Sequence, residues 1–80
     1  MPTIFRFDGY RVIIYSDDHR PPHVHVFGRG CEAVFLIAAS GTPSVLRENL
    51  GFSRAEIARI RQALDANTML LLSAWEEIHG

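Results

Sequence analysis

The feature that most constrains the fold is a pair of β-rich runs, "TIFRF" and "YRVIIYS", separated only by Asp8-Gly9. Asp-Gly supports the positive φ values of a two-residue turn whose twist matches that of the flanking strands. The pattern predicts a β-hairpin over residues 3–7 and 10–16. Pro2 stands just ahead of the first run, where a missing N–H costs no ladder bond. In the second run, Val12 and Ile14 point to one side and Ile13 and Tyr15 to the other. Both sides are apolar, which a strand covered on one face does not require.

The rest of the chain extends this sheet and then leaves it. "HVHVFG" reads as a third strand, Gly28-Arg29-Gly30 as a turn and "CEAVFLIA" as a fourth strand. Val34 and Leu36 oppose Phe35 and Ile37, so this strand too is apolar on both faces. "SGTPS" is a loop, and "VLRENLG" reads equally as a short edge strand or an irregular lead-in. Ser53 and Glu56 then form an S-x-x-E capping box, with Phe52 and Ile57 at the two positions of a hydrophobic staple. Apolar residues at Ile57, Ile60, Leu64, Leu71, Trp75 and Ile78 hold helical phase. Residues 53–79 therefore form one long helix or two that break near Asn67, with Trp75 in the core.

This order gives an α+β fold in a single domain, residues 1–80. A mostly antiparallel four-stranded sheet spans residues 3–38 and carries a His-rich loop. The helical segment, residues 53–79, packs on one face. One helical layer covers one face only. A second copy of the chain or a tightly bound partner is expected on the other.

Composition narrows the function classes. Eighty residues with 48% apolar content suffice for one small core. A net charge of −1 excludes nucleic-acid binding driven by bulk charge. Cys31 is alone, so there is no disulfide framework and no Cys-type zinc knuckle. It also lacks an activating neighbour in sequence, which discounts it as a nucleophile. "MPTIFRFDG" is not a signal peptide, and "MLLLSAW" is too short to span a bilayer. The expected location is the cytoplasm, with no membrane partner.

The chemistry concentrates in "SDDHRPPHVHVFG", residues 16–28, which holds three of the four histidines. His23 and His25 are i and i+2 on a strand, so their rings share one face, with Cα atoms about 6.5–7 Å apart. Val24 and Val26 face the core. Pro21 and Pro22 restrict the backbone that leads from His19 into this pair. Three readings stay open. In the first, the H-x-H pair plus His19, Asp18 or His79 holds zinc or another divalent transition metal. In the second, no cofactor is needed: two imidazoles act as general acid and base on a phosphodiester, with Arg20 stabilising the added negative charge. In the third, the histidines form only structural hydrogen bonds. His79 fits the third reading, as an exposed histidine in a last helical turn. Tyr15 is expected to pack on its strand, and Glu32 to be solvated.

Together, "MPTI", "GYRVIIYSDDHRPPHVHV" and "LLSAWEEIHG" resemble a small bacterial and archaeal family, domain of unknown function 4160. The D-H-x-P-P-H-x-H core, here Asp18, His19, Pro21, Pro22, His23 and His25, is the most specific part. The resemblance implies a neighbour-encoded partner from domain of unknown function 2442, arranged like a type II toxin–antitoxin pair. The member with the histidine cluster resembles the toxin. The expectation is an RNA-targeting growth inhibitor, a metal-independent ribonuclease in which His19, His23 and His25 perform proton transfer or phosphate contact. Arg20 would stabilise charge and Asp18 would orient a histidine. The alternative is a noncatalytic protein-binding or metal-binding module, including the antitoxin role.

Overall fold

The computed structural model describes residues 3–37 and 41–80. Five strands, β1 (Thr3–Phe7), β2 (Tyr10–Ile13), β3 (His23–Gly28), β4 (Cys31–Leu36) and β5 (Val45–Leu50), precede two helices, α1 (Arg54–Asp65) and α2 (Thr68–His79). The strands form one sheet in the order β1-β2-β3-β4-β5. Every neighbouring pair is antiparallel.

Two tight turns set the register. Asp8 and Gly9 have φ of 47° and 84°, and Arg29 and Gly30 have 50° and 76°. Positive φ at both central positions is the I′ geometry that keeps strand twist continuous. The second turn is thus Arg29-Gly30 alone, and Gly28 belongs to β3. A Cβ at Gly28 would lie 2.6 Å from Tyr10 Cδ1, so only glycine fits beneath that buried ring.

The expected four-stranded sheet is corrected to five. "VLRENL" is a full edge strand, paired with β4 from Glu32↔Leu50 to Leu36↔Val45 with a bulge between Val34 and Phe35. Its polar Arg47-Glu48-Asn49 centre hides the period-two pattern. An edge strand tolerates this, because both sides of it reach solvent. The second strand is also shorter than expected, ending at Ile13 rather than at residue 16. Beyond it the chain turns. Asp18 N–H donates to the Tyr15 carbonyl at 3.2 Å, and Tyr15 N–H donates to Asp18 Oδ2 at 3.2 Å. These local bonds replace ladder bonds to β3. The fourth strand ends at Leu36, although Ile37 N–H still donates to the Pro22 carbonyl at 2.9 Å. Its expected continuation into Ala38 lies outside the described residues.

The helical segment is two helices. Asn49 leads the chain into the first of them, its side chain bonding both the N–H and the carbonyl of Phe52. The capping box closes as its spacing requires: Glu56 N–H donates to Ser53 Oγ at 3.1 Å, and Ser53 N–H to Glu56 Oε1 at 3.0 Å. At the far end of α1, the Asp65 carboxylate accepts from Ser44 N–H at 2.8 Å and ties the helix to the approach to β5. Asn67 then leaves helical geometry at φ −126°, and α2 starts without a side-chain cap.

The helices bury Ile57, Ile60, Leu64, Leu71 and Trp75 against one sheet face, built from Tyr10, Val12, Ile14, Val24, Val26, Ala33 and Phe35. The second face differs. Ile13, His25, Val34 and Glu48 stand in register across it. Ile13 and Val34 are buried there too, at 1% and 8% exposure. No helix among the described residues is long and apolar enough to cross a membrane.

Candidate functional site

The turn after β2 and the strand β3 bring three chemical groups to one point. The Asp18 Oδ2 atom lies 3.4 Å from His23 Nε2 and 3.4 Å from His25 Nε2. The three side chains are 12–16% exposed, so the cluster is largely withdrawn from water while keeping an opening to it. The i, i+2 spacing on β3 places both rings on one face, with centroids 5.3 Å apart. Asp18 arrives there because its own carboxylate closes the turn onto Tyr15 N–H. One aspartate thus shapes the loop and presents an oxygen to the histidine pair.

The outer nitrogen of each ring is engaged. His23 Nδ1 lies 2.9 Å from the Pro21 carbonyl oxygen, and His25 Nδ1 lies 3.3 Å from Glu32 Oε2. Both partners only accept, so each Nδ1 carries the proton and donates it. The two Nε2 atoms then face Asp18. His25 Nε2 is buried and has no hydrogen-bond partner, despite its 3.4 Å approach to the carboxylate.

Aromatic contacts fix the rings. Tyr15 meets His25 edge-on at 4.7 Å, His23 lies 5.4 Å from Trp75, and Trp75 stacks on His79 at 3.8 Å. The site is therefore held from the turn after β2 by Tyr15 and from α2 by Trp75. An open hollow of about 430 Å³ adjoins it, lined by His23, His25, Val34, Arg47 and Glu48.

Of the residues singled out in the sequence, Asp18, His23 and His25 come together. His19 is exposed and is not a member of the converging group, although it is adjacent to Asp18 in the chain. Arg20 points elsewhere, its guanidinium donating to Glu76 on α2 at 3.2 Å, and both side chains are exposed. His79 is not exposed as expected. It is half-buried on the face of Trp75, with Nδ1 3.3 Å from the Trp75 carbonyl. Glu32 is not simply solvated, because it is the carboxylate that orients His25.

Glu32, Arg47 and Glu48 were not among the expected site residues. Glu32 was within reach of the sequence. A two-residue Arg29-Gly30 turn puts His25 opposite Val34 and therefore diagonal to Glu32. Arg47 and Glu48 depend on β5, whose pattern left an edge strand and an irregular lead-in equally open.

These features define a small α+β protein with a partly buried centre of two histidines and an aspartate on its sheet. A family model described as a domain of unknown function, DUF4160, matches residues 9–76, and the chain belongs to that family. The match spans Asp18, His23 and His25. No curated protein and no solved structure matches the chain.

Proposed function

We propose that this protein is the toxin component of a type II toxin–antitoxin module, a cytoplasmic growth inhibitor that targets RNA through Asp18, His23 and His25. The observation that carries the reading is the convergence of these three mostly buried side chains beside an open hollow with Arg47 on its rim. Acting on a phosphodiester requires groups that engage its oxygens or move protons, and a positive charge where negative charge develops. The centre supplies the first. Arg47 supplies the second in place of Arg20, which Glu76 engages. A net charge of −1 suits recognition at one site rather than along a phosphate backbone. The family resemblance adds the expected partner, a small antitoxin-type protein.

A second reading, a noncatalytic module that binds a protein partner or acts as the antitoxin, is favoured by a separate observation. Val45 and Leu50 on the edge strand β5 are 53% and 55% exposed. An unpaired edge strand with exposed apolar residues at both ends can pair with another chain or a second copy.

Induction of the chain in a bacterial host without its partner separates the two. The toxin reading expects growth arrest that His23→Ala and His25→Ala each relieve. Arrest by both variants as strong as that of the parent would overturn the catalytic role. A harmless parent that rescues cells from the product of an adjacent gene would establish the second reading.

A further inference from the structure

We infer that Asp18, His23 and His25 form a binding site for one divalent transition-metal ion, with zinc the best fit. The inference rests on the reading of this cluster as the working centre and names what the cluster holds.

Four observations carry it. First, the inner atoms of the cluster are all acceptors. With Nδ1 donating to the Pro21 carbonyl in one ring and to Glu32 in the other, each ring in its neutral form offers an Nε2 lone pair inward. Two lone pairs and a carboxylate oxygen meet at one point, and an electron-pair acceptor there would relieve their repulsion. Second, His25 Nε2 is buried without a hydrogen-bond partner, so it does not donate to Asp18.

Third, the spacing suits a metal. Ligand bonds of 2.0–2.1 Å at tetrahedral angles put donor atoms about 3.3–3.4 Å apart. Both His–Asp separations are 3.4 Å. All three donor atoms lie within 4.8 Å of one another, and this is the one such group among the described residues. Fourth, the outer interactions are those of a metal site. Histidine ligands characteristically donate their second N–H to a carbonyl or a carboxylate, which orients the ring and raises its basicity. His23 does the former and His25 the latter. Tyr15 N–H holds Asp18 Oδ2 in the same way.

The local charge agrees. Asp18 and Glu32 lie against the two imidazoles, and Glu48 lines the adjoining hollow together with Arg47. Arg47 on the same hollow offers a phosphate one positive charge, and a bound dication would add to it beside the carboxylates. Three protein ligands leave a coordination position for water or a substrate oxygen. A mixed nitrogen and oxygen set without thiolate suits zinc and its first-row neighbours better than calcium or magnesium.

The test uses the full chain without a histidine tag, stripped with a chelator and titrated with Zn²⁺ and, separately, with Co²⁺. The expected result is one ion per chain and the visible absorption of a low-coordinate Co²⁺ site. Asp18→Asn, His23→Ala and His25→Ala should each weaken binding at least about 100-fold, and Glu32→Gln about 10- to 100-fold. His19→Ala and His79→Ala should leave it unchanged. In the unmutated chain, where folding is not at issue, Zn²⁺ should shift the Nε2 NMR resonances of His23 and His25 and spare those of His19 and His79. Uptake far below one ion per chain, or binding that survives loss of both His23 and His25, overturns the inference. Growth arrest that requires both histidines in a chain that takes up no ion overturns the metal site and leaves the toxin reading standing. Stoichiometric uptake by a chain that arrests nothing does the reverse.

Discussion

At the scale of single residues, the same side-chain types have different consequences according to what faces them. His23 and His25 lie on one strand face, and that much follows from their spacing alone. Their joint approach to Asp18 required a turn in which the aspartate binds Tyr15 N–H, a contact that no periodicity announces. Arg20 was legible as a cation near the cluster, but its exposed pairing with Glu76 takes it away. An exposed pair of that kind contributes about 0–1 kcal/mol. Glu56 shows how one residue couples several contacts. The Ser53 N–H bond holds its carboxyl below the ordinary value of 4.5, helped by Tyr10, the Ser53 hydroxyl and Arg29 and opposed by burial. A carboxyl lowered on folding binds fewer protons folded than unfolded. Its stabilisation is therefore complete above the unfolded pKa and lost as pH falls through the lower folded value. Thermal melts between about pH 5 and pH 3 should show the parent losing stability on acidification faster than Glu56→Gln, which keeps the capping geometry but cannot titrate. Parallel curves would remove Glu56 from the acid response.

At the scale of elements, punctuation was the most legible part of the chain. Asp8-Gly9 and the Ser53/Glu56 box were readable because each encodes its own local bonds. The box predicts a defined loss. Ser53→Ala should cost about 1 kcal/mol, within a range of about 0.5–2, measured by chemical denaturation, because one N–H at the start of α1 loses its acceptor. The break between α1 and α2 was not decided by the pattern, since apolar phase runs through it. Bonds from Asn67 and Thr68 back to the Ala63 and Asp65 carbonyls accompany the break. The strand β5 was only one of two open readings of its segment, because an edge strand that is mostly exposed needs no apolar alternation. With it went Arg47 and Glu48, the two site-lining residues whose positions depend on pairing with β4.

At the scale of the whole molecule, one residue joins the core to the site. Trp75 is 1% exposed, packs between sheet and helices, and touches both His23 and His79. Trp75→Ala should cost about 3–5 kcal/mol. A domain of this size has little more than that in total, so the variant should be largely unfolded by circular dichroism at ambient temperature. A cooperative melt close to that of the parent would show that α2 is not needed to hold the sheet. The amphipathic faces of both helices, the two-sided apolar strands and the shared face of the histidine pair were all determined by the sequence itself, because each depends on residues a few positions apart. Tertiary structure alone decided that Asp18, rather than His19 or His79, completes the centre, and that the second sheet face buries Ile13 and Val34 without a helix over them. The physical reason is range. Periodicity and capping are set by local geometry, whereas a site is made by contacts that exist only after strands pair and a helix closes over them.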